Sequence, residues 1–497
     1  MARAKRVSSQ GITLLGLGPG DPQLLTRRAW ELLETASEVY LRTQQHPVVA
    51  GLPGGLQLHS FDDYYENGQS FEAVYQGIIA RVLELGRRPQ GVIYAVPGHP
   101  FVAEATSPEI ARQARALGIP MRLVEGVSFI EPVLAALNMD LLPHTAIVDG
   151  LKIAAAHVPP FPPSAPAIIA QIHSRLIASE VKQTLSAVYP DSHPVYLVHA
   201  AGTPDVTLES LPLFEIDRGS STGLLTALYV PPLSPKASFE AFQELIAHLR
   251  APDGCPWDRQ QDHQTLRPHL LEETYEVLSA LDANDPLAMR EEFGDLLLQI
   301  VLHAQIASEY GEFGMAEILE SIHNKIVQRH PHVFGELELE DAGKVLRNWE
   351  RLKEAERASQ GKEAAGLLEG VPRALPALAQ AEEYQRRAGR VGFDWPDIQG
   401  VQAKLKEELN ELHAASDQSG RSVEIGDLLF SVVNLARWYG LDAESALRQA
   451  NARFKARFAL VEEAARQQGR LLSELTLDEM EAIWQAAKGA GSAVEPG

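Results

Sequence analysis

The spacing of hydrophobic positions changes near residue 230. Before that point, short apolar runs such as ITLLGLG, GVIYAVPG and PVYLVHAAG alternate with segments of helical periodicity such as LLTRRAWELLETA. Strands that alternate with helices are typical of an α/β sheet. After that point the chain consists of long segments with the period of helices. The pattern predicts a multidomain chain, with an α/β domain over residues 11–230 followed by an all-α region.

Two proline-rich segments interrupt this pattern. PPFPPSAP (159–166) suits neither a strand nor a helix, and we expect it to link two lobes of the α/β domain. YVPPLSPKAS (229–238) carries three prolines, which disrupt both kinds of element. We therefore place the boundary between the α/β domain and the helical region there.

The helical region repeats itself. LLEETYEV (270–277) is echoed by LKEELNEL (405–412), and EEFGDLLLQIVLHA (291–304) by VEIGDLLFSVVNLA (423–436). NWERLK near the end of the first copy corresponds to IWQAAK near the end of the second. Two copies of a helical unit about 130 residues apart indicate a duplication. The predicted units are residues 237–356 and 370–490.

Paired carboxylates recur at matching places in the two copies. They are Glu273, Glu276, Glu292 and Asp295 in the first copy, and Glu408, Glu411, Glu424 and Asp427 in the second. Residues three apart project from one helix face, so two successive helices of this kind gather four carboxylates between them. Like charges this close repel one another until a cation lies among them, and carboxylate oxygens favour Mg²⁺ or Mn²⁺ over zinc. An isolated pair would more simply be a solvated helix face, but its repetition favours a metal site.

The first of these helices is also rich in apolar residues. In LLEETYEVLSAL (270–281), Leu271, Val277 and Leu281 are among the residues that predict a largely buried helix.

These motifs resemble a known family. GCPWDRQQDHQTLRPHLLEETYEVLSAL, EEFGDLLLQIVLHAQ, KIVQRHPHVFGE and NWERLK are similar to motifs of the MazG family of nucleoside triphosphate pyrophosphohydrolases, over about residues 237–490. The resemblance implies all-α tandem units, usually an intertwined homodimer. It also implies Mg²⁺-dependent cleavage between the α- and β-phosphates, which yields a nucleoside monophosphate and pyrophosphate. The metal ligands would be the eight paired carboxylates named above, four in each copy.

The same resemblance implies basic and aromatic contacts to the nucleotide. They fall on Lys325, Arg329, Trp349 and Lys353 in the first unit, and on Lys404, Asn451, Arg453, Arg457, Trp484 and Lys488 in the second. Lys325 and Arg329 stand four apart, which places two cations on one helix face to meet phosphates, although ordinary surface pairing would also account for them. Either tryptophan can stack on a base or lie in a core.

Three further features of the helical region concern the chemistry. Glu273 and Glu408 are candidates for the general base, a role that the pattern does not separate from metal ligation. Glu383, in AEEYQRR, stands where the family usually has a lysine, and this charge reversal would weaken one phosphate contact. The histidines of RHPHVF (329–334) are more typical of a helix end than of a metal site.

Three glycine-containing loops follow strands in the α/β domain. They are GLGPGD (16–21), AVPGHP (95–100) and VEGVSFIEP (124–132). Loops at the ends of neighbouring strands line one cleft, where open α/β sheets bind ligands. The glycines can also serve as turns only.

Together these loops resemble the tetrapyrrole methylase family, whose members use S-adenosylmethionine. The resemblance spans about residues 11–230 and implies cofactor contacts near Pro19, Gly98, His99 and Ser128. Members commonly have Gly-Asp-Pro where this chain has Gly-His-Pro. That form, with this domain order, is similar to methylase–MazG fusion proteins, whose methyl acceptor the resemblance does not supply.

Charge and composition exclude some partners. The net charge is -22; residues 1–230 carry 21 acidic and 16 basic side chains, and residues 231–497 carry 45 and 28. Such an acidic helical region is a poor match for duplex nucleic acid. No run approaches the ~20 apolar residues that span a bilayer. Cys255 is the single cysteine, which fits a reducing cytoplasm.

The leading hypothesis is a cytoplasmic Mg²⁺-dependent nucleoside triphosphate pyrophosphohydrolase with an attached methylase-like domain. A second hypothesis is a methyltransferase whose helical half is an oligomerisation platform. A third makes the α/β domain a non-catalytic S-adenosylmethionine-binding module that regulates hydrolysis.

Overall fold

The computed structural model describes residues 11–68, 70–219, 222–337 and 366–491, with isolated positions 341, 344, 345, 348 and 352. The chain divides after Cys255 into two compact units. The first contains two β-sheets with their helices, and the second is helical. The predicted fold class, an α/β domain followed by an all-α region, is confirmed.

The first sheet of the N-terminal unit is entirely parallel, in the order β3-β2-β4-β1-β5. Its strands are β1 (Ile12–Gly16), β2 (Glu38–Leu41), β3 (Gln57–Ser60), β4 (Val92–Val96) and β5 (Met121–Val124). The helices of this lobe are α1 (Arg27–Thr35), α2 (Asp62–Asn67), α3 (Phe71–Leu85), α4 (Thr106–Ala116) and α5 (Ile130–Leu137). Every residue of β1 is buried, as expected of a central parallel strand covered on both faces. Because β4, β1 and β5 are neighbours, the loops after them meet at one edge.

The second sheet of this unit is mixed, in the order β6-β7-β10-β8-β9. Its strands are β6 (Ala146–Asp149), β7 (Ala167–Ala170), β8 (Pro194–His199), β9 (Thr207–Pro212) and β10 (Thr226–Val230). It is accompanied by α6 (Gly150–Ala154), α7 (Arg175–Ser186) and α8 (Phe239–Arg250). Only β6 and β7 pair in parallel. The proline-rich segment 159–166 lies outside strands and helices, as predicted, because proline cannot donate to either ladder.

The C-terminal unit begins at Pro256 and contains the two copies of the repeat. Its described helices are α9 (Pro256–Arg259), α10 (Arg267–Asp282), α11 (Pro286–Glu309), α12 (Met315–Arg329), α13 (Pro331–Phe334), α14 (Ala377–Arg390), α15 (Ile398–Ala414), α16 (Gln418–Trp438), α17 (Ala443–Gln467) and α18 (Leu477–Gly491). The pair α10 and α11 in the first copy corresponds to α15 and α16 in the second, and each pair packs together. Aspartates begin the second helix of each pair: Asp285 accepts hydrogen bonds from two backbone amides of α11, and Asp417 accepts one from α16.

Helix α10 has the predicted position but not the predicted burial. Only Val277 and Ala280 are buried, whereas Leu271 is 56% and Leu281 46% exposed. The prediction of a largely buried helix was wrong for the single chain, because α10 packs on α11 and leaves apolar residues uncovered elsewhere. Among the described residues, no helix has the length and apolar character needed to cross a membrane.

Candidate functional site

The first acidic cluster lies between α10 and α11. Glu273, Glu276 and Glu292 each place one carboxylate oxygen within 4.8 Å of the others. The short turn between the helices makes them antiparallel neighbours, and the three-residue spacing directs each pair toward the other. Asp295, the fourth predicted member, is close enough to Glu273 to raise the pKa of that carboxyl group.

Electrostatics in this cluster disfavour ionisation. Burial raises the pKa of Glu273, and repulsion from Asp295 and Glu276 raises it further. Burial also raises the pKa of Glu292, with Glu276 as the next contributor. Carboxyl groups with raised pKa values are stabilised either by protons or by a bound cation.

A second acidic cluster lies between α15 and α16, but its three members are not all the counterparts of the first, because Asp427 takes part and Glu411, the counterpart of Glu276, does not. Glu408, Glu424 and Asp427 place one oxygen each within 4.8 Å of one another. Glu408 is only 4% exposed. Lys404, one helical turn before it, lies with Nζ 2.8 Å from Glu408 Oε1. This buried carboxylate is therefore paired with a cation of its own helix.

Lys404 and the remaining acids set the electrostatics of the second cluster. Burial, Glu411 and Asp427 raise the pKa of Glu424, while Lys404 acts in the opposite direction. Hydrogen bonds to Glu407 and then to Glu408 raise the pKa of the Lys404 ammonium group. The predicted nucleotide contact Lys404 is thus a fixed positive charge at the edge of this cluster.

A cavity of 730 Å³ opens beside the second cluster. Glu408, Asp427 and Lys404 line it together with aromatic residues, namely Tyr384, Phe393, Trp395 and Phe430. No role was predicted for these aromatic residues from the sequence. The available signal was the stretch VGFDW, which places two large aromatic residues directly after a helix and outside any helical period. The cavity therefore joins an apolar wall to a group of potential metal ligands.

Gln385 adds a polar group to this cavity. Its Nε2 donates a hydrogen bond of 2.8 Å to the backbone carbonyl of Phe430. Its Oε1 is buried and has no hydrogen-bond partner among the described residues, although the side chain lines the cavity. Buried acceptors without a partner are rare, so this amide oxygen is a candidate ligand contact.

Glu383, which stands where the family usually has a lysine, does not line this cavity. Its carboxylate accepts hydrogen bonds from Arg386 and Arg387, on a different face of α14. Hydrogen bonds from Arg387 and Arg386 lower the pKa of Glu383 and outweigh the opposing effect of its burial. The charge reversal is therefore compensated within the helix.

A loop with an anchored base carries part of the aromatic wall. Asp394, between Phe393 and Trp395, accepts hydrogen bonds from Arg437 Nη2 at 2.7 Å and from Trp438 Nε1 at 3.2 Å. Both donors lie on the last turn of α16, which ends at Trp438. The same helix thus supplies ligands of the second cluster and holds the loop that faces them.

Other predicted nucleotide contacts form a group on α17 and α18. The guanidinium carbon of Arg457 lies 5.8 Å from the ring centroid of Trp484, and the ring of Phe454 lies 5.1 Å from it. Trp484 is therefore engaged by a cation and an aromatic ring within the chain. The exposed members of the predicted set are Asn451, Arg453 and Lys488.

In the first copy, Lys325 and Arg329 lie half-buried on α12. Trp349 and Lys353 lie outside the described residues. Helix α12 ends at Arg329, directly before the HPH sequence, as predicted.

In the N-terminal unit, the three glycine loops pack against one another. Gly18 and Gly98 exchange backbone hydrogen bonds of 3.2 and 2.7 Å. A Cβ atom at Gly16 would lie 2.5 Å from the amide nitrogen of Gly126. Only glycine permits this approach. A Cβ atom at Gly98, by contrast, would meet nothing within 4 Å, so this turn faces open space.

The predicted cofactor residues lie on these loops. Pro19 and Ser128 are buried, while His99 is half-buried. Ser128 Oγ accepts a hydrogen bond of 3.0 Å from Ile130 N and donates one to the Glu131 carboxylate. The structure thus brings all three loops together at the edge of the parallel sheet.

Comparison with known proteins matches this two-part architecture. Residues 261–334 match the MazG nucleotide pyrophosphohydrolase domain, and residues 11–217 match the Tetrapyrrole (Corrin/Porphyrin) Methylases. The chain belongs to the MazG family, with a tetrapyrrole methylase domain preceding the MazG-type nucleoside triphosphate pyrophosphohydrolase domain. Both resemblances seen in the sequence are confirmed.

Individual relatives cover different parts of the chain. The uncharacterized protein YabN of Bacillus subtilis (strain 168) is 38% identical over 492 residues, which is 96% of this chain and 98% of YabN. The nucleoside triphosphate pyrophosphohydrolase/pyrophosphatase MazG of Thermotoga maritima is 42% identical over 251 residues, 50% of this chain and 96% of that protein. The uroporphyrin-III-C-methyltransferase of Thermus thermophilus is a structural match with 25% identity and a TM-score of 0.34, covering 44% of this chain and 92% of that one.

Proposed function

We propose that the C-terminal unit hydrolyses nucleoside triphosphates to the monophosphate and pyrophosphate in a reaction that requires Mg²⁺ or Mn²⁺. The observation that carries this proposal is the second acidic cluster, of which Glu408 and Asp427 line a 730 Å³ cavity with an aromatic wall. The Thermotoga maritima relative bears the name of that activity, which supports it.

The residues of the second cluster fit a hard divalent cation. Glu408, Glu424 and Asp427 offer oxygen ligands within 4.8 Å of one another, and the pKa of Glu424 is raised by burial and by neighbouring acids. When bound, the cation would neutralise phosphate charge and lower the pKa of a bound water. The first cluster also offers three carboxylate oxygens within 4.8 Å of one another, which supports a metal site in that copy as well.

The remaining groups of the cavity suit the other parts of a nucleotide. Lys404 stands beside the cluster as a permanent cation for a phosphate oxygen. Phe393 and Trp395 offer ring faces on which a base can stack. Stacking on an aromatic ring is possible for every base, since each base has a π-face. Glu408, or Glu273 in the first copy, would accept a proton from the attacking water.

A panel of nucleoside triphosphates assayed with and without Mg²⁺ tests this proposal. We expect stoichiometric monophosphate and pyrophosphate, and their loss in the double variant Glu408→Gln with Glu273→Gln. The matched control is Glu462→Gln, an exposed position of α17 away from both clusters. Unchanged pyrophosphate release in the double variant would refute the proposal, and diphosphate with orthophosphate as products would refute the cleavage position.

For the N-terminal unit we propose binding of S-adenosylmethionine at the three glycine loops. The open turn at Gly98 and the close contact of Gly16 with Gly126 form a cradle that side chains would fill. The cofactor would supply a transferable methyl group. Calorimetry with the full chain tests this binding, and pyrophosphate release with S-adenosylmethionine present tests regulation. Absence of binding would eliminate both the methyltransferase and the regulatory hypotheses.

A further inference from the structure

An asparagine of α16 lines the cavity beside the second acidic cluster, and its amide is held in one orientation. Asn434 Oδ1 accepts hydrogen bonds from Arg437 Nε at 3.1 Å and from Arg437 Nη2 at 2.8 Å. A guanidinium group can only donate, so the oxygen of the amide faces Arg437 and the nitrogen points away from it. The group that Asn434 offers to a ligand is therefore its NH₂ group, which can only donate.

This nitrogen is free to meet a ligand. Asn434 is half-buried, and its Nδ2 makes no hydrogen bond to any residue that the structure describes. The atom is also not among the side-chain nitrogens and oxygens that are buried without a partner, so it keeps accessible surface. The cavity thus contains a hydrogen-bond donor that is both accessible and fixed in direction.

The position of Asn434 on α16 suits contact with a base. Asn434 follows Asp427 by two helical turns, so both lie on one face of the helix, roughly 10 Å apart along its axis. Phosphates, sugar and base follow one another along a nucleotide. A triphosphate held by a cation at Asp427 would therefore bring its base, rather than its phosphates, towards Asn434.

The residue that orients Asn434 also holds the aromatic loop. Arg437 Nη2 lies 2.7 Å from Asp394 Oδ1, between Phe393 and Trp395. These two rings line the same cavity and are 82% and 43% exposed. One guanidinium group therefore fixes both the rings on which a base can stack and the donor that can reach its edge.

The first copy lacks this arrangement. In the matching stretches of α11 and α16, Leu302 stands at the place of Asn434, and it is only 4% exposed. Gln305 stands at the place of Arg437 and donates a hydrogen bond of 3.0 Å to Glu309 instead. The oriented donor is thus a feature of the second copy, although both copies have acidic clusters.

We propose that Asn434 makes the second copy selective for nucleotides whose base carries an oxygen at position 6 of a purine or position 4 of a pyrimidine. Guanine and thymine present an acceptor there, whereas adenine and cytosine present an amino group, which would meet the amide NH₂ donor to donor. Hypoxanthine and uracil carry the same oxygen as the first group. The inference rests on the function proposed above and names the substrate class of that site.

Inosine and adenosine triphosphates form the test pair, because they differ only at position 6 and in the protonation of the adjoining ring nitrogen. The variant Glu273→Gln keeps every carboxylate of the second copy. In this variant, kcat/KM for pyrophosphate release should be about fivefold higher for inosine than for adenosine triphosphate, the weight of one neutral hydrogen bond. In Glu408→Gln, where the first copy alone is intact, the two values should be equal.

Replacement of Asn434 by aspartate, in the Glu273→Gln variant, tests the donor itself. Asn434→Asp keeps an oxygen for Arg437 but turns the donor into an acceptor, so the preference should reverse in favour of adenosine triphosphate. The added charge acts on both triphosphates alike and leaves their ratio unchanged. Asn67→Asp, an exposed position of the N-terminal unit, is the matched control and should retain the preference for inosine triphosphate.

Binding of the monophosphates separates this inference from the hydrolysis. Ligand-observed NMR should give inosine monophosphate a Kd about fivefold lower than adenosine monophosphate, whether or not the chain cleaves triphosphates. Preferred binding of inosine monophosphate without any pyrophosphate release would refute the hydrolysis and leave the base preference standing. Equal values for the inosine and adenosine nucleotides, or a preference that Asn434→Asp leaves unchanged, would overturn the inference.

Discussion

At the scale of single residues, the acidic clusters of the C-terminal unit combine short separations with raised pKa values. Glu424 shows this most clearly, because burial, Glu411 and Asp427 all disfavour its charged form. A carboxyl group whose pKa is higher in the folded than in the unfolded protein stabilises the fold at pH values below its unfolded pKa. This contribution is lost as the pH rises through the folded pKa. Near pH 7 the ionised group therefore opposes folding until a cation is bound.

Replacement of Glu424 by glutamine should raise the unfolding temperature at pH 7 in the presence of a chelator, because it removes one repelled charge. Added Mg²⁺ should raise the unfolding temperature of the wild type more than that of Glu424→Gln, since the variant lacks a ligand. Thermal unfolding with chelator and with Mg²⁺ measures both effects. Glu462→Gln should behave like the wild type. An unfolding temperature of Glu424→Gln below that of the wild type in the presence of chelator would contradict the repulsion at this site.

Gln385 permits a second prediction at this scale. If its Oε1 accepts an N–H of the base, Gln385→Met should lower kcat/KM for nucleoside triphosphates by about fivefold, the usual weight of one neutral hydrogen bond. Inorganic tripolyphosphate has no base, so its inhibition constant should not change. Steady-state kinetics with competition give both values. Equal effects on nucleotide and tripolyphosphate would place Gln385 outside base recognition.

At the scale of elements, the loop between α14 and α15 depends on one carboxylate. Burial of Asp394 raises its pKa, but hydrogen bonds from Arg437, the Trp395 amide and Trp438 outweigh it, and the net pKa is lowered. The stability from this contact is present above the ordinary pKa of 3.8 and is lost as the pH falls through the lower folded value.

Asp394→Asn should therefore lower the free energy of unfolding at pH 6 by about 1–3 kcal/mol, the range for a charged hydrogen bond. The difference from the wild type should shrink as the pH falls below 3.8, because Asp394 becomes protonated first in the unfolded chain and then, at the lower folded pKa, in the native protein. The Asp394→Asn variant should also have a higher KM for nucleotides, because the loop that Asp394 anchors carries Phe393 and Trp395. Urea unfolding at pH 6 and pH 3 measures the first effect; a difference that is independent of pH would contradict an ionic contact.

At the scale of the whole molecule, apolar side chains of the C-terminal unit are exposed in the single chain. Phe293, Leu297 and Ile300 of α11 are 49%, 38% and 43% exposed, at spacings that place them on one face. On α16, Leu429 and Phe430 are also exposed. The resemblance to the MazG family implies a homodimer, and we propose that these exposed apolar side chains form its interface.

Phe293→Glu combined with Leu297→Glu should shift the protein from dimer to monomer, because buried carboxylates at an interface are strongly unfavourable. Sedimentation velocity measures the change. Leu176→Glu is the control, since Leu176 is 68% exposed and belongs to the N-terminal unit, whereas α11 belongs to the C-terminal unit. A wild type that sediments as a monomer would refute the dimer.

The chain's local patterns determined much of this architecture. Apolar runs predicted β1 and β4, three-residue spacing predicted which carboxylates share a helix face, and duplication predicted an acidic cluster in each copy. These features follow from the periods of strands and helices, which are properties of neighbouring residues.

Only tertiary packing decided which side chains are covered and which share a cavity. Leu271 is exposed despite its apolar character, the VGFDW loop faces the second cluster because Arg437 holds Asp394, and Arg42 is neutralised by Glu104, 62 residues away in sequence. Such contacts join segments distant along the chain. Their partners depend on how whole elements pack, which the period of a single element does not specify.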